Sequence, residues 1–385
     1  MTIIQESHID FVLVTYTKGI FFNPHKPEGL EFIPSTDTRL RFVLKPKDPE
    51  KDACGHRLGL ECKVYTTYPA TKEQSMFVDA YNNHRIMLRV ADNISLPYKL
   101  NEEILIDKNG NYKEGFHPRR HLCPSDICQL IELVESELVT KTDNFLKLLR
   151  WRQGIDASGK MIDHYALYWR VGEGNYPGAP LEGRNTSITI PAMFGIHWDN
   201  ADMIDLQELW ANDVEEPLAH ALIREAASIA SESPRSAILI MAAALETAVK
   251  MHISSIAPDT DWLMEEVPSP PIFKILRDYI PLIHSRRGKE LDFWDKLKPK
   301  IKESQKLIEL RNKVAHTGKI PEDADSIRSY LTLVSDLLYV LDFITGHEWA
   351  KSLVSYEFRK ALDWPSPTHQ RGLIVLIHEE PSRSG

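Results

Sequence analysis

The chain has 385 residues, 43% hydrophobic and 26% charged, with Lys+Arg 46 against Asp+Glu 55 for a formal net charge of −9. That length and balance belong to a folded protein of about two or three domains and exclude a disordered, collagen-like or coiled-coil chain. The negative total leaves no global basic field for DNA or an anionic membrane, so any nucleic-acid contact must be a local patch.

Four cysteines are too few for a disulfide framework and fit a reducing compartment. The longest apolar run, 237–249, falls short of the ~20 residues a bilayer span needs. The first ten residues carry neither the basic flank nor the apolar core of a secretory signal. A cytoplasmic chain without membrane contact is therefore expected.

The first 120 residues alternate in the β manner at 9–16, 38–46 and 58–68, with Val, Phe, Tyr and Thr prominent. Asn109-Gly110 signals a type I′ turn. Ser125-Asp126 offers a cap to a helix over about 126–152, where Ile127, Leu130, Val134 and Leu138 recur at helical spacing and Asn144 marks a break. Short extended runs follow at 164–171 and 185–191 around a Gly/Pro-rich stretch. Residues 1–212 thus read as an α+β domain of unknown role, a sensor or substrate-recognition part being one expectation.

From 213 the pattern is all-α. Glu215-Glu216-Pro217 opens a helix whose expected face is Leu218, Leu222, Ala226 and Ile229; it stops at 231–234. A second helix, about 235–255, aligns Ile238, Met241, Leu245, Ala248 and His252. A short helix (272–280) and a long one (289–316) follow, the latter kinked or split at Pro299. The last helix has a seam of Ile327, Tyr330, Val334, Leu337, Leu341 and Ile344, spaced for helix–helix packing. Residues 347–385 read as a tail with one strand-like run at 373–377.

The segment best suited to chemistry is Leu310-Arg311-Asn312-Lys313-Val314-Ala315-His316-Thr317-Gly318, at a helix C-terminus with Gly318 as its stop. Asn312 and His316, four apart, share a face. Arg311 and His316, five apart, diverge by about 140° on a straight helix. A permanent cation and a group titrating near neutrality are what metal-free RNA cleavage requires: a base for the 2′-OH, a cation for the phosphorus-centred charge, and an acid for the 5′-oxygen. The same Arg/His spacing class recurs at Arg277/His284 and Arg371/His378, so spacing alone decides nothing.

The setting resembles the HEPN superfamily over about 214–346. The resemblance rests on RNKVAH near the end of the third main helix. It also rests on the upstream pair ALIREAASIASESPRSAILIMAAALETAVK, with its tight turn and Ala-rich second helix. It implies an all-α HEPN-like bundle and a metal-independent endoribonuclease, possessing no cofactor, that works as a homodimer. Arg311 and His316 of both protomers would form one composite site. Asn312 would orient, Glu246 would hold Arg311, and RNA would be the substrate. Toxins and phage-defence effectors are frequent members, which adds a regulatory partner to the expectations. The alternative is a non-catalytic HEPN module that binds a nucleotide or a protein.

Other clusters have plainer readings beside the functional ones. Cys54, His56 and Cys62, then His117, His121, Cys123 and Cys128, offer zinc-type ligands without a CxxC knuckle; ordinary buried or surface residues are the favoured reading and no metal site is assigned. Lys296, Lys298, Lys300, Lys302 and Lys306 suggest a solvated face before an RNA track. Trp151, Trp169, Trp198 and Tyr168, near Arg150, Arg152 and Arg170, are expected in a core with charged edges ahead of a base-stacking platform.

Overall fold

The computed structural model describes residues 7–17, 20–22, 30–34, 37–46, 60–82, 124–155, 161–173, 176, 182–184, 194–196, 200–260, 262, 266, 271–318 and 324–365. Two compact units emerge, one within 1–146 and 160–214, the other within 147–159 and 215–372. The second unit thus takes in residues before 160 as well as those after 214.

The first unit is built on β1 (Ser7–Thr17), β2 (Ile20–Phe22), β3 (Leu30–Phe32), β4 (Arg41–Pro46), β5 (Leu60–Ala70), β6 (Ile162–Arg170), β7 (Glu182–Arg184) and β8 (Phe194–Ile196). Six strands form an antiparallel sheet ordered β3-β4-β5-β1-β6-β7, and β2 pairs in parallel with β8. Side chains alternate across a strand, so the register decides the core. Ile9, Phe11 and Leu13 lie opposite Tyr68, Thr66 and Val64 on one side, and Phe11 and Leu13 opposite Trp169 and Leu167 on the other. All of these are buried.

Helix α1 (Lys72–Asn82) follows β5 directly, and α2 (Ser125–Gln153) covers the apolar side of the sheet. On α2, Phe145 meets Phe32 and Phe42, while Glu137 and Glu135 accept hydrogen bonds from the Tyr68 and Tyr165 hydroxyls. Helix α3 (Asn200–Ala211) adds Trp210, edge-on to both Phe42 and Phe145 at 5.3 Å.

Two expectations fail in this unit. Asn144 does not break α2, which runs on through Gln153. Asn costs a helix only about 0.7 kcal/mol, whereas Phe145, Leu146, Leu148 and Leu149 are fully buried there and contribute about 1.5–3 kcal/mol each. Helix α1 also lies in the stretch read as β-rich, and α3 lies where no element was expected. The Asn109-Gly110 turn, the run at 185–191 and Trp198 lie outside the described residues. Trp169 is a core residue of this unit, as favoured, whereas Trp151 is buried in the second unit and so does not join it in one N-terminal cluster.

The second unit is helical: α4 (Leu218–Ile229), α5 (Pro234–Ile256), α6 (Ile272–Lys274) continuing through a π-helical turn (Ile275–Tyr279) into α7 (Ile280–Arg286), α8 (Trp294–Thr317), α9 (Ala324–Thr345) and α10 (Tyr356–Ala361). Helix α5 packs against α4, α8 and α9. It buries Ile238, Met241, Leu245 and His252 of the expected stripe. It is also the one helix among the described residues long and apolar enough to cross a membrane, and over half of that window is buried. The α9 seam is buried at Ile327, Val334, Leu337, Leu341 and Ile344.

Three corrections belong here. Pro299 neither splits α8 nor begins it; it sits in the second turn, where only the Asp295 carbonyl loses its helical partner. The short helix expected at 272–280 continues to Arg286 through the π-helical turn. Helix α4 is turned relative to the expected face. Leu218 is exposed, while Ala219, His220, Ile223, Arg224 and Ala226 are buried.

The cause of that turn is a polar network inside the unit. Glu216 accepts from both Arg150 and Arg224, and Arg224 Nε also donates to the Ile155 carbonyl at 2.7 Å. Asp342 accepts from the Trp151 indole at 3.0 Å and faces His220 Nε2 at 2.8 Å. Buried ions require such pairing, and that requirement outweighs the apolar stripe.

Candidate functional site

Helix α8 sets the candidate site by where its inner face ends. Trp294, Leu297, Ile301, Ser304, Leu307 and Val314 point into the bundle. Past Leu307 the motif climbs outward: Arg311 is partly exposed, and Asn312, Lys313, Ala315, His316 and Thr317 are exposed. Gly318 takes a left-handed conformation (φ 66°), and its N–H donates to the Val314 carbonyl at 2.9 Å. Thr317 Oγ1 donates to the Lys313 carbonyl at 2.7 Å. Two local bonds therefore satisfy two terminal carbonyls without any help from the basic side chains.

Arg311 Nη1 donates to Asn312 Oδ1 at 3.0 Å, so two of the four expected site residues are joined directly. His316 has no hydrogen-bond or ion-pair partner among the described residues. Glu246 is engaged by Lys250, one turn along α5, at 3.1 Å. The expected Glu246–Arg311 support is thus replaced by a pair within one helix, where four-residue spacing brings opposite charges together without bending the backbone.

The decoy pairs separate by environment. Arg277 is bound by its neighbour Asp278, and His284 is buried with its Nε2 3.0 Å from His252 Nε2. Both decoy members are occupied within the chain, unlike His316. Arg371 and His378 lie outside the described residues.

Cys62 faces the buried side of the sheet, and burial pushes its thiol up, away from the thiolate a metal needs. Cys54, His56, His117, His121 and Cys123 lie outside the described residues. The α8 lysines behave as a solvated face, with Lys296 held by Asp363, Lys298 by Asp295 and Lys300 by Glu303.

One basic residue near the motif escaped the sequence reading. Arg235, in the first turn of α5, places Nη1 3.7 Å from where a Cβ on Gly318 would lie. The signal for it is tertiary: the residues are more than eighty apart in the chain. Comparison of the chain with family models, with curated proteins and with solved structures gives no match.

Proposed function

We propose that the chain is a metal-independent endoribonuclease of HEPN type, with Arg311 and His316 in a composite site at a homodimer interface. Toxin or antiviral defence is the role such an activity suits. The observation that carries the reading is the exposure of Asn312 and His316 at the end of α8, where neither Arg311 nor His316 is bonded to any of the terminal carbonyls among the described residues. A purely capping Arg–His pair would be spent on those carbonyls, and a structural histidine would be buried like His252 or His220.

In this reading His316 takes the proton from a ribose 2′-OH, and the 2′-oxygen attacks phosphorus. Arg311 binds the phosphate and the charge that develops on it, and Asn312 orients the guanidinium. The second imidazole of the composite site protonates the departing 5′-oxygen. The products are a 2′,3′-cyclic phosphate and a 5′-hydroxyl. The composite arrangement answers the divergence of Arg311 and His316 on one helix, because each His316 works beside an Arg311 from the other protomer.

The test is cleavage of mixed RNA in excess EDTA by wild type, Arg311→Ala and His316→Ala. A substrate with a single 2′-deoxy nucleotide at the cut is expected to resist. RNA or nucleotide binding without cleavage, unchanged by both substitutions, would favour the non-catalytic module.

A further inference from the structure

We propose that Arg235 is a phosphate-binding residue of the same site, gripping a backbone phosphate of single-stranded RNA next to the one being cleaved. The proposal rests on the nuclease reading above, and its argument is the charge arrangement at the end of α8. Arg235 is exposed, and among the described residues it makes no hydrogen bond or ion pair. Its guanidinium lies beside Gly318, at van der Waals distance from the space a Cβ would fill. Gly318 is two residues past His316, so their Cα atoms are separated by at most about 7.6 Å.

The first alternative is that Arg235 serves the helix end, where a cation is favoured. The Val314 carbonyl is taken by the Gly318 N–H, and Arg235 makes no bond to any of the carbonyls that end α8 among the described residues. The second alternative is an ion pair at the surface. Glu232 is the nearest acid in sequence, in the turn before α5, yet the two form no pair. On α8, Lys296, Lys298 and Lys300 each have a carboxylate, whereas Lys302 and Lys306 have none among the described residues.

What remains at this end is Arg235, Lys313 and His316 without an acid among the described residues, beside the Arg311–Asn312 pair. Such a group suits a polyanion, and the planar fork of Arg235 suits a phosphate in particular.

The experiment measures binding of a labelled 20-nucleotide single-stranded RNA to the full chain in EDTA, by fluorescence anisotropy, in a His316→Ala background that prevents cleavage. Adding Arg235→Ala is expected to weaken binding about five- to tenfold. It should also reduce the slope of log affinity against log salt by about 0.7, one phosphate's worth for a single strand. Arg235→Lys should retain the slope and part of the affinity, while both variants keep the parent's thermal midpoint.

Arg235→Ala with the parent's affinity and slope, under conditions where Arg311→Ala is weakened, would overturn the assignment of Arg235 alone. A lower thermal midpoint with an unchanged salt slope would equally assign Arg235 to helix stability and overturn it. Absence of RNA binding by the parent, in a chain that also fails to cleave, would remove the functional reading and this proposal together.

Discussion

Arg311 and His316 differ from the decoy pair Arg277 and His284 in what surrounds them. Arg311 shares its guanidinium with Asn312, and His316 stands in solvent at the last turn of α8. Neither contributes a buried contact that folding depends on. Arg311→Ala and His316→Ala should therefore stay within about 0.5 kcal/mol of wild-type stability. Each should lower cleavage by about 10²–10⁴. Thermal melts beside the cleavage assay separate these effects; a large loss of stability would show that the pair is structural. Gly318 is a different kind of residue. A methyl group there meets nothing closer than 3.7 Å, so the cost of Gly318→Ala is the left-handed backbone alone. That cost is about 1 kcal/mol, readable as a lower urea midpoint.

At the scale of elements, the second unit carries charge and histidine where apolar packing would be the simpler choice. Glu216 pairs with both Arg150 and Arg224 out of contact with water. Glu216→Gln leaves two buried cations facing a neutral amide and should cost about 3–5 kcal/mol in urea unfolding. A change under 1 kcal/mol would mean the triad is solvated. Between α5 and α7, the direction of each hydrogen bond follows from its neighbour. Thr345 Oγ1 donates to the Leu341 carbonyl, so His252 Nδ1–H donates to Thr345, leaving His252 Nε2 to accept from His284. That arrangement makes the His252 ring neutral.

Burial and the facing His284 push His252 down to about 3, with Lys289 acting in the same sense and Asp342 against it; burial, Lys289 and Arg287 also lower His284. A depressed folded pKa means that the unfolded chain binds the extra proton first. The stability involved is present above the ordinary histidine value of about 6.5 and is lost as pH falls toward 3. The slope is up to about 1.4 kcal/mol per pH unit. Asp336, buried and raised to about 6, runs the other way: its contribution is present below the ordinary carboxylate range and is lost as pH rises through 6. The clean measurement is the difference between wild type and His252→Gln in urea unfolding at pH 7 and pH 4.5. The variant should lose less stability on acidification. An equal loss would show that His252 is protonated in the folded protein.

Legibility also differs element by element. The long strands, α2 and the α9 seam are visible because apolar residues recur at the period of the element that buries them. Helix α1 was equally visible by another signal. Thr71 and Gln74 form a reciprocal capping box, with bonds of 3.1 and 2.9 Å, and T-x-x-Q stands in the sequence before the helix. The β texture around it obscured that start. Helix α4 could not be read correctly from its own stripe, because its buried face is chosen by Glu216 and Asp342, one just before the helix and the other more than a hundred residues on. The candidate site divides the same way. Arg311, Asn312 and His316 are local in sequence, and so is Lys250's claim on Glu246 one turn along α5, while the approach of Arg235 to Gly318 appears only once α5 and α8 are folded together.

At the scale of the whole molecule, the chain divides into a sheet-based unit and a helical one, and the helical unit needs more than its own continuous stretch. A cut at 212, where the texture changes, would keep Glu216, Arg224, His220 and Asp342 but discard Arg150, Trp151 and Ile155, which satisfy them within the same unit. A fragment beginning at 213 is therefore expected to unfold at markedly lower urea than the helical unit of the full chain; equal midpoints would contradict the role given to the buried network. Function should thus be measured on the entire chain. The central measurement is incubation of wild type, Arg311→Ala and His316→Ala with mixed RNA in excess EDTA. Wild type should cut, leaving 2′,3′-cyclic phosphate ends, and both variants should be inactive while folded. Identical behaviour of the three proteins toward RNA would contradict the account.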